Sequence, residues 1–205
     1  MIIEVCAESY EYAVKAEKAG ADRVELCKDL YLDGLTPDYE SAKRTIDSLN
    51  IPVFILIRPR EGDFIYSNEE FELMKQDIVK FKEMGCKGIV SGVLNDDNSI
   101  DFERTKDLIE LSRPLEFTFH RAFDVVSDPF KEINRLIEIG VDRVLTSGHK
   151  DKAIDGLDLL EELKDISKNR IIIMPGSGIS NTNFIKFNSF NEIHGSFKKG
   201  VPTIN

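Results

Sequence analysis

The chain has 205 residues, of which 41% are hydrophobic and 31% are charged. This is an ordinary globular composition, which excludes wholesale disorder and, at about 150 residues per domain, predicts a single domain spanning residues 1–205. The formal net charge of −10, from 37 acidic and 27 basic residues, repels nucleic-acid phosphates and anionic lipid surfaces, so we expect neither a nucleic-acid nor a membrane partner.

Eight short segments rich in Ile, Val and Phe alternate with segments whose apolar residues recur at helical spacing. In chain order, the predicted strands cover residues 2–6, 23–27, 53–57, 88–92, 116–120, 143–146, 171–174 and 192–194. Strict alternation predicts a parallel sheet with helices outside, either as a closed barrel or as an open doubly wound sheet. The count of eight and the absence of GxGxxG after the first strand favour a single-domain α/β protein with the (β/α)8 TIM-type barrel fold.

Local signals predict where several helices begin. Thr36 and Asp128 each precede a proline, which is typical of an N-cap followed by the first helical turn. Ser67 with Glu70 three residues later has the spacing of a capping box.

The chain is short for this fold, which usually takes about 250 residues. The first seven β/α units are predicted to be complete, whereas the segment after the eighth strand contains Gly200 and Pro202 and is a poor helix former. The eighth outer helix is therefore expected to be short or absent, which would leave an apolar stripe uncovered between strands eight and one. Such a stripe favours self-association, so we expect a homo-oligomer, most simply a two-fold dimer.

Polar and charged residues cluster where the predicted strands end, which is where barrels of this type bind ligands. One interpretation is a catalytic site on a small anionic or phosphorylated metabolite. Glu25 or Glu4 would act as the base, and His120 as an acid or electrophile, with arginines stabilising negative charge. The other is an ionic network whose members neutralise one another. The candidate catalytic residues are Glu4, Glu25, Arg58, His120, Arg121, Asp124 and His194. No active-site lysine is evident and no organic cofactor is expected.

Glycines follow the seventh and eighth strands, where many barrels hold a phosphate on loop N–H groups and a short helix N-terminus. A helix capped by Ser180 or Asn181 would complete that arrangement, and simple tight turns are the alternative. The candidate anion-binding residues are Gly176, Ser177, Gly178, Gly195 and Ser196.

The long loop after the third strand is a candidate lid or anion clamp, because loops of that length are usually functional; a solvated surface loop is the alternative. Its candidate side chains are Arg58, Arg60, Asp63 and Tyr66.

Three cysteines occur, Cys6, Cys27 and Cys86, and no signal peptide is evident, which predicts reduced thiols and a cytoplasmic location. Cys6 and Cys27 end the first two strands, and neighbouring parallel strands lie about 4.8 Å apart. Two thiolates at that separation suit a soft ion such as Cu(I). Buried cysteine acting as a small hydrophobe is the alternative, and we expect that role for Cys86.

Motifs along nearly the whole chain resemble the CutC family of copper homeostasis proteins. They are EVC at 4–6, ADRVELC at 21–27, GLTP at 34–37, IRPR at 57–60, GDF at 62–64, TFHRAFD at 118–124, DRVLTSG at 142–148, IMPGSG at 173–178 and IHGS at 193–196. The resemblance implies a TIM-type barrel, a cytoplasmic location, a role in copper tolerance and trafficking, and Cu(I) binding by Cys6 and Cys27. Asp33 and Ser177 stand where the family usually has glycine.

Three functional hypotheses therefore stand side by side. The first is a cytoplasmic Cu(I)-binding protein, the second an enzyme on a small anionic metabolite, and the third a scaffold without chemistry.

Overall fold

Eight parallel strands pair side by side in a computed structural model of the chain, which describes residues 1–197 and 200–202. The sheet order is β7-β6-β5-β4-β3-β2-β1-β8, and β7 and β8 lie against each other, so the sheet curls into a nearly closed barrel. The predicted single-domain TIM-type barrel is confirmed. The strands are β1 (Ile2–Ala7), β2 (Arg23–Leu26), β3 (Val53–Leu56), β4 (Gly88–Ser91), β5 (Glu116–Phe119), β6 (Arg143–Thr146), β7 (Ile172–Pro175) and β8 (Glu192–Gly195).

Among the described residues, six α-helices cover the outside of the barrel, and each connects consecutive parallel strands. They are α1 (Tyr10–Lys18), α2 (Tyr39–Ser48), α3 (Asn68–Met84), α4 (Phe102–Ser112), α5 (Pro129–Glu138) and α6 (Leu157–Ser167). Four short 3-10 turns lie in the connections, at Leu30–Leu32, Arg121–Val125, Ala153–Gly156 and Phe184–Phe187. In the part of the chain that the structure describes, no helix combines the length and apolarity that crossing a bilayer requires.

Successive side chains along each strand point alternately to the outer core and to the barrel interior. In β1, Ile3 and Val5 face outward into the main apolar core beneath the helices, whereas Glu4 and Cys6 face the barrel interior. The interior is therefore built from charged groups and thiols together with a few apolar side chains, and this composition places the chemistry of the molecule inside the barrel.

The helix starts follow the predicted caps with one exception. Ser67 and Glu70 form the expected capping box, and Asp128 caps α5 with proline in the first turn. The prediction at Thr36 is wrong, because α2 starts two residues later, with Asp38 accepting a hydrogen bond from the Ser41 N–H at 2.8 Å. The Thr36 hydroxyl instead accepts from the Arg58 N–H at 2.8 Å, which joins two loops above the barrel.

The prediction of seven complete β/α units is also wrong. Only the 3-10 turn Phe184–Phe187 lies between β7 and β8, so the seventh outer helix is replaced by a compact loop. After β8, residues 196, 197 and 200–202 contain no helix, as expected for a short or absent eighth helix. Lys198, Lys199 and residues 203–205 lie outside the described residues.

The apolar stripe expected between β8 and β1 is covered. Ile3 is 2% exposed and Ile193 is 0% exposed, because Phe187, Phe190 and Phe197 pack into the same core cluster. The loop after β7 and the start of the segment after β8 therefore cover the strands that the missing outer helices would cover. This removes the reason for expecting a homo-oligomer, and the oligomeric state stays a prediction that sedimentation at micromolar concentration tests.

Candidate functional site

A cavity of about 520 Å³ opens at the carboxyl ends of the strands, and most of the candidate residues line it. Six candidates do not line it: Glu4, which lies deeper in the barrel, Cys27, Gly176, and the loop residues Arg60, Asp63 and Tyr66. The candidates that line the cavity are Cys6, Glu25, Arg58, His120, Arg121, Asp124, Ser177, Gly178, His194, Gly195 and Ser196.

Beneath the cavity lies a layer of buried ion pairs. Arg23 Nε lies 2.5 Å from Glu4 Oε2, and the same guanidinium also contacts Glu192. Arg143 Nε lies 2.9 Å from Glu192 Oε2, so Glu192 joins the two arginines. Buried charges are costly unless they are paired, and here they pair with one another. For Glu4, the network interpretation therefore describes the geometry better than a catalytic role.

A phenyl ring fills the space between the two arginines. The guanidinium carbons of Arg23 and Arg143 lie 4.6 and 5.1 Å from the centre of the Phe54 ring. Gly88 on the neighbouring strand makes room for it, since a Cβ there would lie 2.5 Å from Phe54 atoms. This layer was not predicted from the sequence. Side chains two residues apart on a strand point to the same side, so Arg23 could have been placed inside the barrel from Glu25 in β2.

Glu4 and Glu25 have opposite electrostatic environments. Burial alone would raise the pKa of Glu4, but Arg23 and His194 outweigh it and lower that pKa to about 2. Burial raises the pKa of Glu25 to about 7, and its Oε2 atom has no hydrogen-bond partner in the described part of the chain. Glu25 is thus a carboxyl group that can exchange a proton near neutral pH.

His194 lies between these two carboxylates. Its Nδ1 atom is 2.7 Å from Glu4 Oε1 and 3.9 Å from Glu25 Oε2. Burial would lower the pKa of His194, but the charges of Glu25 and Glu4 outweigh burial and raise it. The hydrogen bond to Glu4 fixes the orientation of the ring, whose other edge is directed toward the cavity side of the barrel.

His120 follows β5 and is held as a neutral imidazole. Burial, with the charge of Arg58, lowers its pKa to about 3. Its Nδ1 atom accepts a hydrogen bond from the Ala122 N–H at 3.2 Å, so the ring proton is assigned to Nε2. Gly92 leaves the space for the ring, because a Cβ there would lie 2.8 Å from Nδ1. The buried Nε2 atom has no partner among the described residues.

Arg58 ties two loops together over the cavity. One terminal nitrogen donates to the carbonyls of Leu32 and Gly34, at 2.7 and 3.0 Å, and the other donates to the carbonyl of Gly62 at 3.0 Å. Its Nε atom is buried and has no partner among the described residues. Arg58 therefore orders the loops and keeps one donor for the cavity.

The other candidate clamp residues of this loop do not line the cavity. Arg60 pairs with Asp63 at 2.8 Å and with Glu70 at 2.7 Å, and the Tyr66 ring is buried under the loop. The charge of Arg60 is paired with the loop and with the first turn of α3, so Arg58 is the one member of the four candidate clamp residues that lines the cavity.

Both carboxylate oxygens of Asp124, which lines the cavity, already accept hydrogen bonds. It accepts hydrogen bonds from the Thr146 hydroxyl at 2.5 Å, the Ser147 N–H at 2.9 Å and Arg121 Nε at 2.8 Å. Its lone pairs are occupied by these donors, which orient Arg121 and the loop after β6. This geometry favours a positioning role for Asp124 over proton transfer.

The glycine-rich loops form one wall of the cavity without a helix start. Ser180 caps no α-helix, and its N–H donates instead to Asn183 Oδ1 at 2.8 Å ahead of the four-residue turn at Phe184. The helix N-terminus on which the phosphate hypothesis relied is therefore missing. Ser177, Gly178, Gly195 and Ser196 still line the cavity, and anion binding by them stays a prediction.

Two thiols lie together in the wall below the mouth of the cavity. Cys6 Sγ and Cys27 Sγ are 3.6 Å apart, and both side chains are buried as free cysteines. The hydrogen bond with Cys27, burial and nearby carboxylates raise the pKa of Cys6 well above its ordinary value. One ligand atom each from Cys6, Glu25 and His194 also lies within 4.8 Å of the others. Cys86 is buried in the outer core, as expected.

Several residues that line the cavity were not predicted from the sequence, and most of them are apolar. Phe64 is the most important, since its ring lies 4.8 Å from the His120 ring and 5.2 Å from the Arg58 guanidinium carbon. The GDF motif at residues 62–64 was the available signal. The other missed lining residues are Leu30, Asp33, Leu56, Gly62, Val125, Leu145 and Ile179.

An eight-stranded parallel barrel with a polar, thiol-containing cavity at the carboxyl ends of its strands defines the class: a single-domain TIM-type barrel. The model of the CutC family matches residues 1–199, and the chain belongs to that family.

Similar proteins agree with this assignment. The copper homeostasis protein cutC homologs of Mus musculus and Homo sapiens are 48% and 47% identical over 182 residues, covering 89% of this chain and 67% of each relative. A CutC crystal structure from Streptococcus agalactiae has a TM-score of 0.90 at 32% identity and covers 96% of this chain and 99% of that chain.

Proposed function

We propose that this protein takes part in copper homeostasis in the cytoplasm and binds Cu(I) through the thiolates of Cys6 and Cys27. The observation that carries the proposal is the pair of buried, unoxidised sulfur atoms 3.6 Å apart in the wall of the cavity. Soft thiolate ligands select Cu(I) over the harder divalent ions. The printed names of the mouse and human relatives agree with this role.

The sulfur separation favours a bent coordination. With metal–thiolate bonds of about 2.3 Å, a linear ion would need sulfur atoms about 4.6 Å apart. The observed separation of 3.6 Å corresponds to an angle of about 100° at the ion, which leaves room for a third ligand. Glu25 and His194 are the nearest candidates, because their ligand atoms lie within 4.8 Å of the Cys6 sulfur.

The charges around the thiols support capture of a cation. Glu25 and Glu4 both raise the pKa of Cys6, so without metal the thiol stays protonated. A Cu(I) ion would displace the proton and offset the negative charge that these carboxylates create. Binding should therefore release protons.

Anaerobic Cu(I) titration against a bicinchoninate competitor tests the proposal. Replacing both ligands, as Cys6→Ala with Cys27→Ala, should abolish competition, whereas Cys86→Ala should compete like the wild type because Cys86 lies in the outer core. Equal Cu(I) affinity of the double variant and the wild type would overturn the proposal.

A second candidate function is an enzyme on a small anionic metabolite, and one specific observation favours it. Three residues that line the same cavity each have a buried side-chain atom without a partner in the described residues: Glu25 Oε2, Arg58 Nε and His120 Nε2. Buried polar groups are almost always paired, so a set of three in one cavity indicates a ligand. Glu25 would act as the base beside a carbonyl, with His120 as the electrophile and Arg58 stabilising negative charge; the charge of Arg121, the other candidate for that role, is already paired with Asp124.

A thermal-shift screen with sugar phosphates and small carboxylates tests this second candidate. Stabilisation of the wild type, reduced in a Glu25→Gln variant, would support it. No stabilisation by any member of the panel would count against ligand binding in the cavity.

A further inference from the structure

Two of the unpartnered atoms are hydrogen-bond donors on neighbouring side chains that line the cavity. Arg58 and His120 are each 4% exposed, and both pack against the Phe64 ring. Their Nε and Nε2 atoms are buried without a partner in residues 1–197 and 200–202. An unmade hydrogen bond at a buried donor costs about 1–3 kcal/mol, so each atom would gain from a ligand acceptor.

Neighbouring bonds keep both donors in place. Arg58 is held by three backbone carbonyls through its terminal nitrogens, so its Nε atom is the one left for a ligand. His120 is held by the Ala122 N–H on its opposite ring nitrogen. Both side chains are already ordered before a ligand binds, which lowers the entropic cost of binding.

The local charge selects the kind of acceptor. Arg58 supplies one positive charge, and His120 is neutral because its pKa is lowered to about 3. Arg121 adds little, since its charge is paired with Asp124 at 2.8 Å. One net positive charge and two fixed donors suit a carboxylate monoanion, and the carboxyl group of Glu25 disfavours a more highly charged phosphate.

The third unpartnered atom indicates what else the ligand carries. Glu25 Oε2 can accept a hydrogen bond, so it favours a ligand hydroxyl group. A cavity of about 520 Å³ is of the size that holds small metabolites.

We propose that Arg58 Nε and His120 Nε2 form a subsite for the carboxylate of a small hydroxy acid, whose hydroxyl group faces Glu25. This inference rests on the second candidate function, because it names the ligand class of the same cavity. In this proposal the anion binds at Arg58 and His120, which carry the unpartnered donors, and not at the glycine-rich loops.

The test compares three probes with the full chain by calorimetry or ligand-observed NMR. Glycerate carries a carboxylate and hydroxyl groups, glycerol carries hydroxyl groups alone, and inorganic phosphate carries charge alone. Glycerate should bind at least about tenfold more tightly than the other two, since only it satisfies all three atoms.

Two variants of His120 distinguish the loss of the Nε2 donor from a general disturbance of the fold. In His120→Asn the amide oxygen can still accept from the Ala122 N–H, but nothing reaches the position of Nε2. In His120→Gln the amide nitrogen reaches that position. Glycerate affinity should fall about tenfold to a hundredfold in His120→Asn and return to within a few-fold of wild type in His120→Gln. Arg60→Gln, on the same loop but outside the cavity, should bind like the wild type.

Each contrary result has a distinct meaning. If glycerate binds equally well to the wild type and His120→Asn, or if phosphate binds and glycerate does not, the carboxylate subsite is wrong while anion binding in the cavity stands. If no probe binds at millimolar concentration, both the subsite and the second candidate function fail.

Discussion

Glu4 Oε1 lies 2.7 Å from Nδ1 of His194, although the two residues are 190 positions apart in the sequence. The contact locks Glu4 into the charged layer beneath the cavity, where Arg23 also holds it. Glu25, on the adjacent strand, has no such partner for Oε2 within residues 1–197 and 200–202. Two carboxylates that look alike in the sequence thus have pKa values of about 2 and about 7.

Glu25→Gln should make the protein more stable above neutral pH. The pKa of Glu25 is raised from 4.5 to about 7 on folding, so the folded state keeps a proton that the unfolded state releases. The free energy of unfolding should therefore fall as pH rises through this window, by about 3 kcal/mol at most, and Glu25→Gln should remove that fall. Urea unfolding of both proteins at about pH 5 and about pH 8 gives the change in free energy of unfolding with pH. An equal change in the wild type and in Glu25→Gln would contradict the prediction.

Glu4→Gln should have the opposite effect. The pKa of Glu4 is lowered from 4.5 to about 2, so its ionised form stabilises the fold above pH 4.5 and that stability is lost as pH falls toward 2. Removing the charge takes away one of the two buried carboxylate partners of Arg23 and leaves Glu192 as the other, and we expect a loss of about 3 kcal/mol at neutral pH. The variant should also lose part of the wild type's acid dependence below pH 4.5.

Urea unfolding at neutral and acid pH measures the effect of Glu4→Gln, and Glu11→Gln is its matched control. Glu11 pairs with Arg44 on the surface at 3.3 Å, with both side chains more than half exposed. We expect a change within about 0.5 kcal/mol, because exposed pairs contribute little. Similar losses for Glu4→Gln and Glu11→Gln would show that the buried layer is not what stabilises the barrel.

Gly88→Ala should destabilise the barrel by about 1–3 kcal/mol, because the new methyl group would collide with the Phe54 ring at 2.5 Å. Combining it with Phe54→Leu should recover part of the loss, since the smaller side chain frees that space. A double-mutant cycle from chemical denaturation gives the coupling energy, and strict additivity of the two changes would argue against the contact.

Asp124→Asn should loosen the rim of the cavity. The amide oxygen can still accept from Thr146 and Ser147, but the amide nitrogen cannot accept from Arg121 Nε, now at 2.8 Å. We expect about 1–2 kcal/mol of destabilisation from the lost charge-assisted bond. Asp96→Asn, at an exposed position, should leave thermal stability unchanged.

The sequence predicted the architecture well because the signals for it are local. Eight short apolar segments separated by amphipathic runs led to the barrel, and Ser67 and Asp128 marked helix starts that the structure confirms. Thr36 was misjudged because its hydroxyl bonds to the Arg58 backbone, a contact between loops that no local pattern encodes. The missing seventh helix was overlooked because a glycine-rich loop followed by Phe184 and Phe187 has enough apolar residues to cover its strand without one.

By itself, the sequence determined that this chain forms a β/α barrel and that acids, arginines, histidines and thiols gather at the carboxyl ends of its strands. Only the tertiary structure decided which of them face the cavity. Closure of the barrel places β8 beside β1, which lets His194 hydrogen-bond to Glu4 and leaves Glu25 Oε2 without a hydrogen-bond partner among the described residues. The physical reason is that burial and pairing, which set the state of a charged group, depend on neighbours far apart in the chain.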